Sequence, residues 1–113
     1  MNDRLPARIE ASSLVRRAEI EGGNGMILAR GDPDRGALLL LITARGTHVA
    51  CLERQLGESG DYAWQRVGPD VTASDSEIGE WAQKRRRFDP DMWQIELNVA
   101  HPERFIAETI AIG

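Results

Sequence analysis

The chain has little of several features that would place it in a specialised class of protein. It contains one cysteine, Cys51, among 113 residues, and a single cysteine cannot form an internal disulfide. No segment approaches the roughly 20 consecutive apolar residues that a membrane-spanning helix requires. The first residues also lack the apolar core of a signal peptide. We therefore expect a cytoplasmic protein that does not associate with membranes.

Positive charge is also scarce. Fourteen basic residues stand against eighteen acidic ones, which gives a net charge of -4. Affinity for nucleic acids and anionic membranes depends on neutralising phosphates with basic side chains, so this balance disfavours a nucleic-acid binder. The length predicts one globular domain over residues 1–113, with a core that needs neither a disulfide nor a metal.

The first helix is expected to start late. Pro6 lacks an N–H group and disfavours helical backbone at the residue before it, so residues 1–10 are predicted to be extended. Ser12 or Ser13 can cap a helix that follows. The Gly22–Gly23 pair is expected to end this helix, because glycine adopts left-handed backbone at low cost.

Two further helices are predicted in the second half of the chain. Ser74 and Glu77 form a capping-box signature, in which each side chain bonds to the backbone of the other residue. Pro90 ends the helix that they open. His101-Pro102 predicts a last helix with proline at its first position. The pattern of residues 102–112 also fits an edge strand, and the sequence does not decide between the two.

The strand patterns define the fold class. The run from Leu38 to Ile42 is apolar on both faces, which predicts a central strand covered twice, by helices or by a partner. Further strands are predicted from Met26 to Leu28, from His48 to Glu53, from Tyr62 to Val67 and from Trp93 to Val99. We expect an α+β domain with an antiparallel sheet of about five strands, a meander plus one strand after a helix. Two or three helices are expected mainly on one face of that sheet.

Residues 85–97 concentrate charged groups where the second helix gives way to the last strand. The candidate ligand-binding residues there are Arg85, Arg87, Asp89, Asp91 and Glu96. Three of the cations, Arg85, Arg86 and Arg87, would form an anion or phosphate site. A structural explanation competes with this one, because cations stabilise the C-terminal end of a helix and Asp-Pro ends it. The sequence does not decide whether the cluster is structural or functional.

Two arginines of this cluster have expected partners. Arg85 lies on the same helical face as Ile78 and Trp81, so it requires a carboxylate or must lie along Trp81. The carboxylates considered for it are those of Asp89, Asp91 and Glu96. Arg87 is predicted to pair with Glu96 or Asp89 through the planar geometry that a guanidinium offers a carboxylate.

The sequence predicts no metal site and no cofactor. Two Asp-Pro-Asp tripeptides, at residues 32–34 and 89–91, carry paired carboxylates, but they lack the further oxygen ligands of a calcium loop. Aspartate and proline are favoured in turns for separate reasons. His48 and His101 have no companion at ligand spacing. Cys51 is expected to be a buried apolar residue.

The order of motifs resembles a known family. The motifs are Leu14-Val-Arg-Arg-Ala-Glu before two glycines, Arg30-Gly-Asp with Arg35-Gly-Ala, Trp64-Gln-Arg, and Arg87-Phe-Asp-Pro-Asp-Met-Trp with Glu96. Together they are similar to the small bacterial family labelled domain of unknown function 1491. The resemblance implies a stand-alone bacterial protein without an established activity, and it supplies no catalytic residues.

Three functional classes remain. The leading expectation is a non-enzymatic protein-interaction or regulatory domain, in the form of a homo-oligomer or with another protein partner, because a short chain lacks the helix to cover a doubly apolar strand. The alternative is a small enzyme or an anion binder that uses the cluster at residues 85–96. A weak nucleic-acid binder is third. The sequence leaves open whether the chain is an enzyme.

Overall fold

The elements follow one another in the order that the sequence patterns indicate. The computed structural model describes residues 5–56 and 58–112. Within these ranges the helices are α1 (Ala7–Ile20), α2 (Asp75–Phe88) and α3 (Pro102–Ile112). The strands are β1 (Asn24–Ala29), β2 (Leu38–Ala44), β3 (Thr47–Leu56), β4 (Tyr62–Val67) and β5 (Trp93–Asn98). This confirms the α+β class. None of these helices has the length and apolar character needed to cross a membrane.

The five strands form one sheet in the order β1-β5-β2-β3-β4. Strands β2, β3 and β4 form the predicted antiparallel meander. Strand β5 does not lie at an edge: it inserts between β1 and β2, antiparallel to β1 and parallel to β2. Strand β1 therefore pairs with β5 and not with β2, its neighbour in sequence. The interior position suits β5 because its alternating apolar side chains gain neighbours on both sides.

Strand β2 is the middle strand, and helices of the same chain cover both of its faces. Leu38, Leu40 and Ile42 belong to a core that includes buried residues of α1 and α3. Leu39 and Leu41 belong to a second core with residues of α2. Two helices thus pack on one face and one helix packs on the other. The doubly apolar strand accordingly needs no second chain to cover it.

Helix α1 begins earlier than predicted. The expected extended start is wrong from Ala7 onwards, and residues 1–4 lie outside the described ranges. Pro6 occupies the N-cap position, where its missing N–H is not needed. The amides of Ala7 and Arg8 donate to the carbonyls of Asp34 and Pro33, at 3.0 and 2.9 Å. A distant loop therefore caps α1, and neither Ser12 nor Ser13 does.

The other two helices begin where the sequence indicates. The Ser74 hydroxyl accepts from the Glu77 amide at 3.1 Å, and the Glu77 carboxylate accepts from the Ser74 amide at 3.0 Å. This confirms the capping box. Residues 102–112 form a helix that buries Phe105 and Ile106, so the alternative of an edge strand is wrong. The apolar residues fit a helical face packed on the sheet.

Trp93 is expected to carry a large share of the stability. It is 2% exposed, and its indole N–H donates to the carbonyl of Asp32 at 2.7 Å. We predict that Trp93→Ala lowers the free energy of unfolding by about 3–5 kcal/mol, measured by urea denaturation. Phe88→Ala is the control, because Phe88 is 82% exposed and should change stability by less than about 0.5 kcal/mol. Equal losses in the two variants would contradict this assignment.

Candidate functional site

The structure separates the charged residues that the sequence places close together. The Arg85 side chain extends from α2 to β3, whereas Arg87 is exposed on α2 and Glu96 is half-buried on β5. Asp89 and Asp91 lie in the turn between α2 and β5. The assignment of these five residues to a ligand-binding site stays a prediction.

Arg85 is held by a structural ion pair. Its guanidinium donates to the carboxylate of Glu53 on β3 and lies 5.6 Å from the centroid of the Trp81 ring. The two alternatives predicted for Arg85, a carboxylate partner or contact with Trp81, occur together. The partner is not among Asp89, Asp91 and Glu96. Glu53 is 6% exposed and requires a compensating cation there.

The aspartates of the two Asp-Pro-Asp tripeptides stabilise turns. The Asp32 carboxylate accepts from the amide of Arg35 at 2.6 Å, and that of Asp89 accepts from the amide of Asp91 at 3.2 Å. The turns also join, since the Asp32 amide donates to the Asp91 carbonyl at 2.9 Å. Gly31 is required at this contact because a Cβ there would lie 1.9 Å from the Asp91 oxygen. Over the described ranges, no three potential metal ligands cluster.

Arg87 does not make the predicted ion pair. It is exposed, and no carboxylate among the described residues lies within ion-pair distance of its guanidinium. The prediction that it pairs with Glu96 or Asp89 is therefore wrong. Helical phase agrees with this exposure: Arg87 follows the buried Ile78 by about two and a half turns, so the two side chains leave the helix on opposite sides.

A recess lies beside Arg87, between α2 and the sheet. It has a volume of about 380 Å³, and its lining residues are Gln83, Arg86 and Arg87 of α2 with Ala29 of β1 and Gln94 of β5. Arg86 is fixed by donating to the carbonyls of Arg30 at 2.8 Å and Pro90 at 3.3 Å. The recess therefore has a positioned basic wall, and the guanidinium of Arg87 in it has no ion-pair partner among the described residues.

Next to this recess, strand β1 exposes apolar side chains. Met26 and Leu28 are 60% and 47% exposed, and Met26 lies opposite Glu96 in the β1–β5 register. Glu96 shares a face with Gln94, because alternate residues of a strand point the same way. No ion pair of Glu96 occurs in the described part of the chain. We use the term β1 face for Met26, Leu28, Glu96 and the recess.

Cys51 and His48 do not form a nucleophilic pair. Cys51 is 1% exposed, and burial raises the pKa of its thiol to about 12. The thiol is therefore neutral near pH 7, whereas the reactive form is the thiolate. The His48 ring nitrogen Nε2 lies 3.0 Å from the carbonyl oxygen of Pro69. Cys51 has the apolar role that the sequence predicts.

Sequence patterns did not identify one buried ion pair. Arg54 of β3 donates to Glu10 of α1, and their side chains are only 14% and 10% exposed. The residues are 44 positions apart, so no local motif connects them. The signal available was strand alternation: Arg54 shares a face with the apolar Leu52 and Ala50. An arginine in such a row needs a buried carboxylate.

Substitution of Arg85 should lower the stability of the protein more than substitution of Arg87, because Arg85 pairs with Glu53. We predict that Arg85→Ala destabilises the protein by about 1–3 kcal/mol, because it leaves the buried Glu53 carboxylate without its cation. Arg87→Ala is the matched control and should change stability by less than about 0.5 kcal/mol. Urea denaturation measures both. A similar, small effect of the two substitutions would show that the Arg85 pair contributes nothing measurable.

The neutral thiol of Cys51 predicts slow alkylation. Because burial raises its pKa from 9.0 to about 12, iodoacetamide at pH 8 should modify Cys51 in the folded protein at least about a hundredfold more slowly than in urea. Ala63→Cys in a Cys51→Ala background places a thiol at an exposed position and serves as the control. Its rate should level off above pH 9, while that of Cys51 continues to rise. Equal rates at pH 8 would refute the assigned pKa.

Solved structures show the same fold. A crystal structure of a DUF1491 family protein from Caulobacter crescentus CB15 has a TM-score of 0.78 at 23% identity, covering 90% of this chain and 94% of that one. An NMR structure of a DUF1491 family protein from the same organism gives 0.77 at 25% identity, covering 89% and 91%. The solution structure of protein Atu0922 from A. tumefaciens gives 0.75 at 21% identity, covering 90% and 92%.

Sequence comparison agrees with the structural one. No functionally curated protein shows significant sequence similarity to the chain. The model of the family described as "Protein of unknown function (DUF1491)" matches residues 5–107, which include every strand and both turns of the Asp-Pro-Asp type. The chain therefore belongs to the DUF1491 family.

Proposed function

We propose that this protein is a non-enzymatic interaction domain whose β1 face binds an amphipathic segment of a partner protein. The observation that supports this proposal is the position of Met26 and Leu28. Both are large and exposed, and both lie on an edge strand that contributes to the recess lined by Arg86 and Arg87. Exposed apolar side chains that are grouped and bordered by charge are typical of interaction sites.

The β1 face offers a partner both affinity and orientation. Burying Met26 and Leu28 would stabilise a complex through the removal of apolar surface from water, at about 25 cal/mol per Å². Neither Arg87 nor Glu96 has an ion-pair partner in the part of the chain that the structure describes. Arg87 would attract an acidic side chain of the partner, and Glu96 would attract a basic one. Because these two charges differ in sign and position, they would fix the direction in which the segment lies.

The shape of β1 favours side-chain docking over the addition of another strand. The register of β1 against β5 shifts between Ile27 and Ala29, which marks a bulge at Leu28. A bulge at an edge strand interrupts the regular row of backbone groups that a further strand would need. An amphipathic helix requires no such row, since it binds through apolar side chains at helical spacing. We therefore propose a helical segment as the partner.

A second candidate function, anion binding, rests on the recess alone. Arg86 is held in place by two carbonyls, and Arg87 lines the same recess without an ion-pair partner. Paired guanidiniums bind phosphate or sulfate through charge-assisted hydrogen bonds. If this function is correct, phosphate alone should raise the melting temperature, and Arg87→Gln should remove that effect while leaving the stability without phosphate unchanged.

Site-specific photo-crosslinking in the source bacterium tests the interaction proposal. A photoreactive benzoylphenylalanine replaces Met26 on the β1 face, and in a control protein it replaces Ile20, which is 76% exposed on α1. We expect one discrete adduct from position 26, none of the same mass from position 20, and loss of the adduct with Arg87→Glu. The charge reversal weakens the attraction to an acidic side chain without entering the core.

The outcomes separate the candidates. The same adducts from both positions, or an adduct that survives Arg87→Glu, would contradict binding at the β1 face. An adduct of twice the protein's mass would identify a second copy of this chain as the partner, and sedimentation at micromolar concentration should then show a dimer. A purely anion-binding protein should show phosphate-dependent stabilisation and no adduct.

A further inference from the structure

A second cavity lies on the opposite face of the sheet from the β1 face and its recess. It has a volume of about 200 Å³ and is lined by residues of α1, β3, β4 and α3. Leu14 and Trp64 provide apolar surface, while Arg17, Arg54 and Glu10 provide charge. Small-molecule sites in proteins combine these elements: a mostly apolar wall and a few positioned polar groups.

Arg54 is the least satisfied polar group in this cavity. Its Nη1 donates to Glu10, whereas Nε is enclosed and has no acceptor among the described residues. No described residue accepts a hydrogen bond from Nη2 either. The guanidinium lies 5.6 and 5.7 Å from the ring centroids of Tyr62 and Trp64, which restrict its movement. An arginine that is held in place with donors to spare favours an added acceptor.

Arg17 provides a second fixed cation. Its guanidinium stacks 4.0 Å from the centroid of the Phe105 ring and donates from Nη2 to the Phe105 carbonyl at 3.1 Å. Its Nε and Nη2 also form ion pairs with the carboxylates of Glu21 and Glu108, at 3.6 and 3.9 Å. These contacts position the guanidinium at the cavity without occupying all of its five N–H donors.

We propose that this cavity binds a small organic monocarboxylate with an apolar body. Nη2 of Arg54 has no acceptor among the described residues, and Arg17 keeps N–H donors beyond those that its ion pairs with Glu21 and Glu108 use. A carboxylate is the acceptor that binds guanidinium N–H groups most strongly. The ligand's carboxylate accepts from Arg17 and from Nη2 of Arg54, and its apolar body packs against Leu14 and Trp64. The small volume excludes nucleotides and other ligands of that size.

The first test uses hexanoate and hexanamide as probes of the intact protein. Two-dimensional ¹⁵N–¹H NMR should show saturable shifts for the Trp64 indole and the Leu14 amide when hexanoate is added. Hexanamide has the same length but no charge, so it should bind at least about tenfold more weakly, as expected for the loss of a charge-assisted hydrogen bond. Arg17→Gln should weaken hexanoate binding and leave hexanamide binding unchanged.

Two phenylalanine substitutions locate the site. Ser13 lines the cavity and is exposed, so Ser13→Phe should fill its mouth and abolish the hexanoate shifts. Ser12→Phe is the control, because Ser12 is equally exposed on α1 but does not line the cavity; it should leave binding unchanged. The proposal is overturned by equal affinity for hexanamide, by shifts confined to the recess around Gln83 and Gln94, or by no shifts at tens of millimolar hexanoate. None of these results bears on the β1 face.

Discussion

The arrangement of the whole molecule depends on one strand that must be kept from water on both sides. Five successive apolar residues, Leu38 to Ile42, place apolar side chains on both faces of β2. These side chains are removed from water only if both faces are covered. Helices α1 and α3 cover one face and α2 covers the other. With its faces covered within the chain, the sheet can place β2 at its centre and leave less apolar strands at its edges.

The uneven distribution of helices explains where the two candidate binding regions lie. A single helix, α2, packs on one face of a five-stranded sheet, and it leaves Met26 and Leu28 of β1 exposed. On the other face, helices α1 and α3 pack on the sheet, and a charged pair joins α1 to β3. The pair of Glu10 with Arg54 replaces the close apolar packing found elsewhere, and a cavity lies beside it. The positions of both regions therefore follow from the way in which the helices cover the sheet.

The sequence predicts what depends on neighbouring residues and misses what depends on distant ones. The bounds of β2 and β4 and the capping box at Ser74 follow from patterns within a few residues. The start of α1 does not, because carbonyls of a loop more than 20 residues away cap it. The candidate site shows the same limit. Helical phase predicts that Arg85 needs a carboxylate or contact with Trp81, but the packing of α2 on the sheet supplies Glu53 from β3. Arg87 has no ion-pair partner within residues 5–56 and 58–112.

The insertion of β5 between β1 and β2 also has a consequence for how the chain folds. During synthesis, β1 is complete long before residues 93–98 leave the ribosome, yet its strand partner is β5. The meander of β2, β3 and β4 can form early, because its contacts are local in sequence. Strand β1 can pair with β5 only after the last third of the chain has been synthesised. The protein should therefore emerge with an incomplete sheet and acquire its cooperative structure only after synthesis is nearly finished.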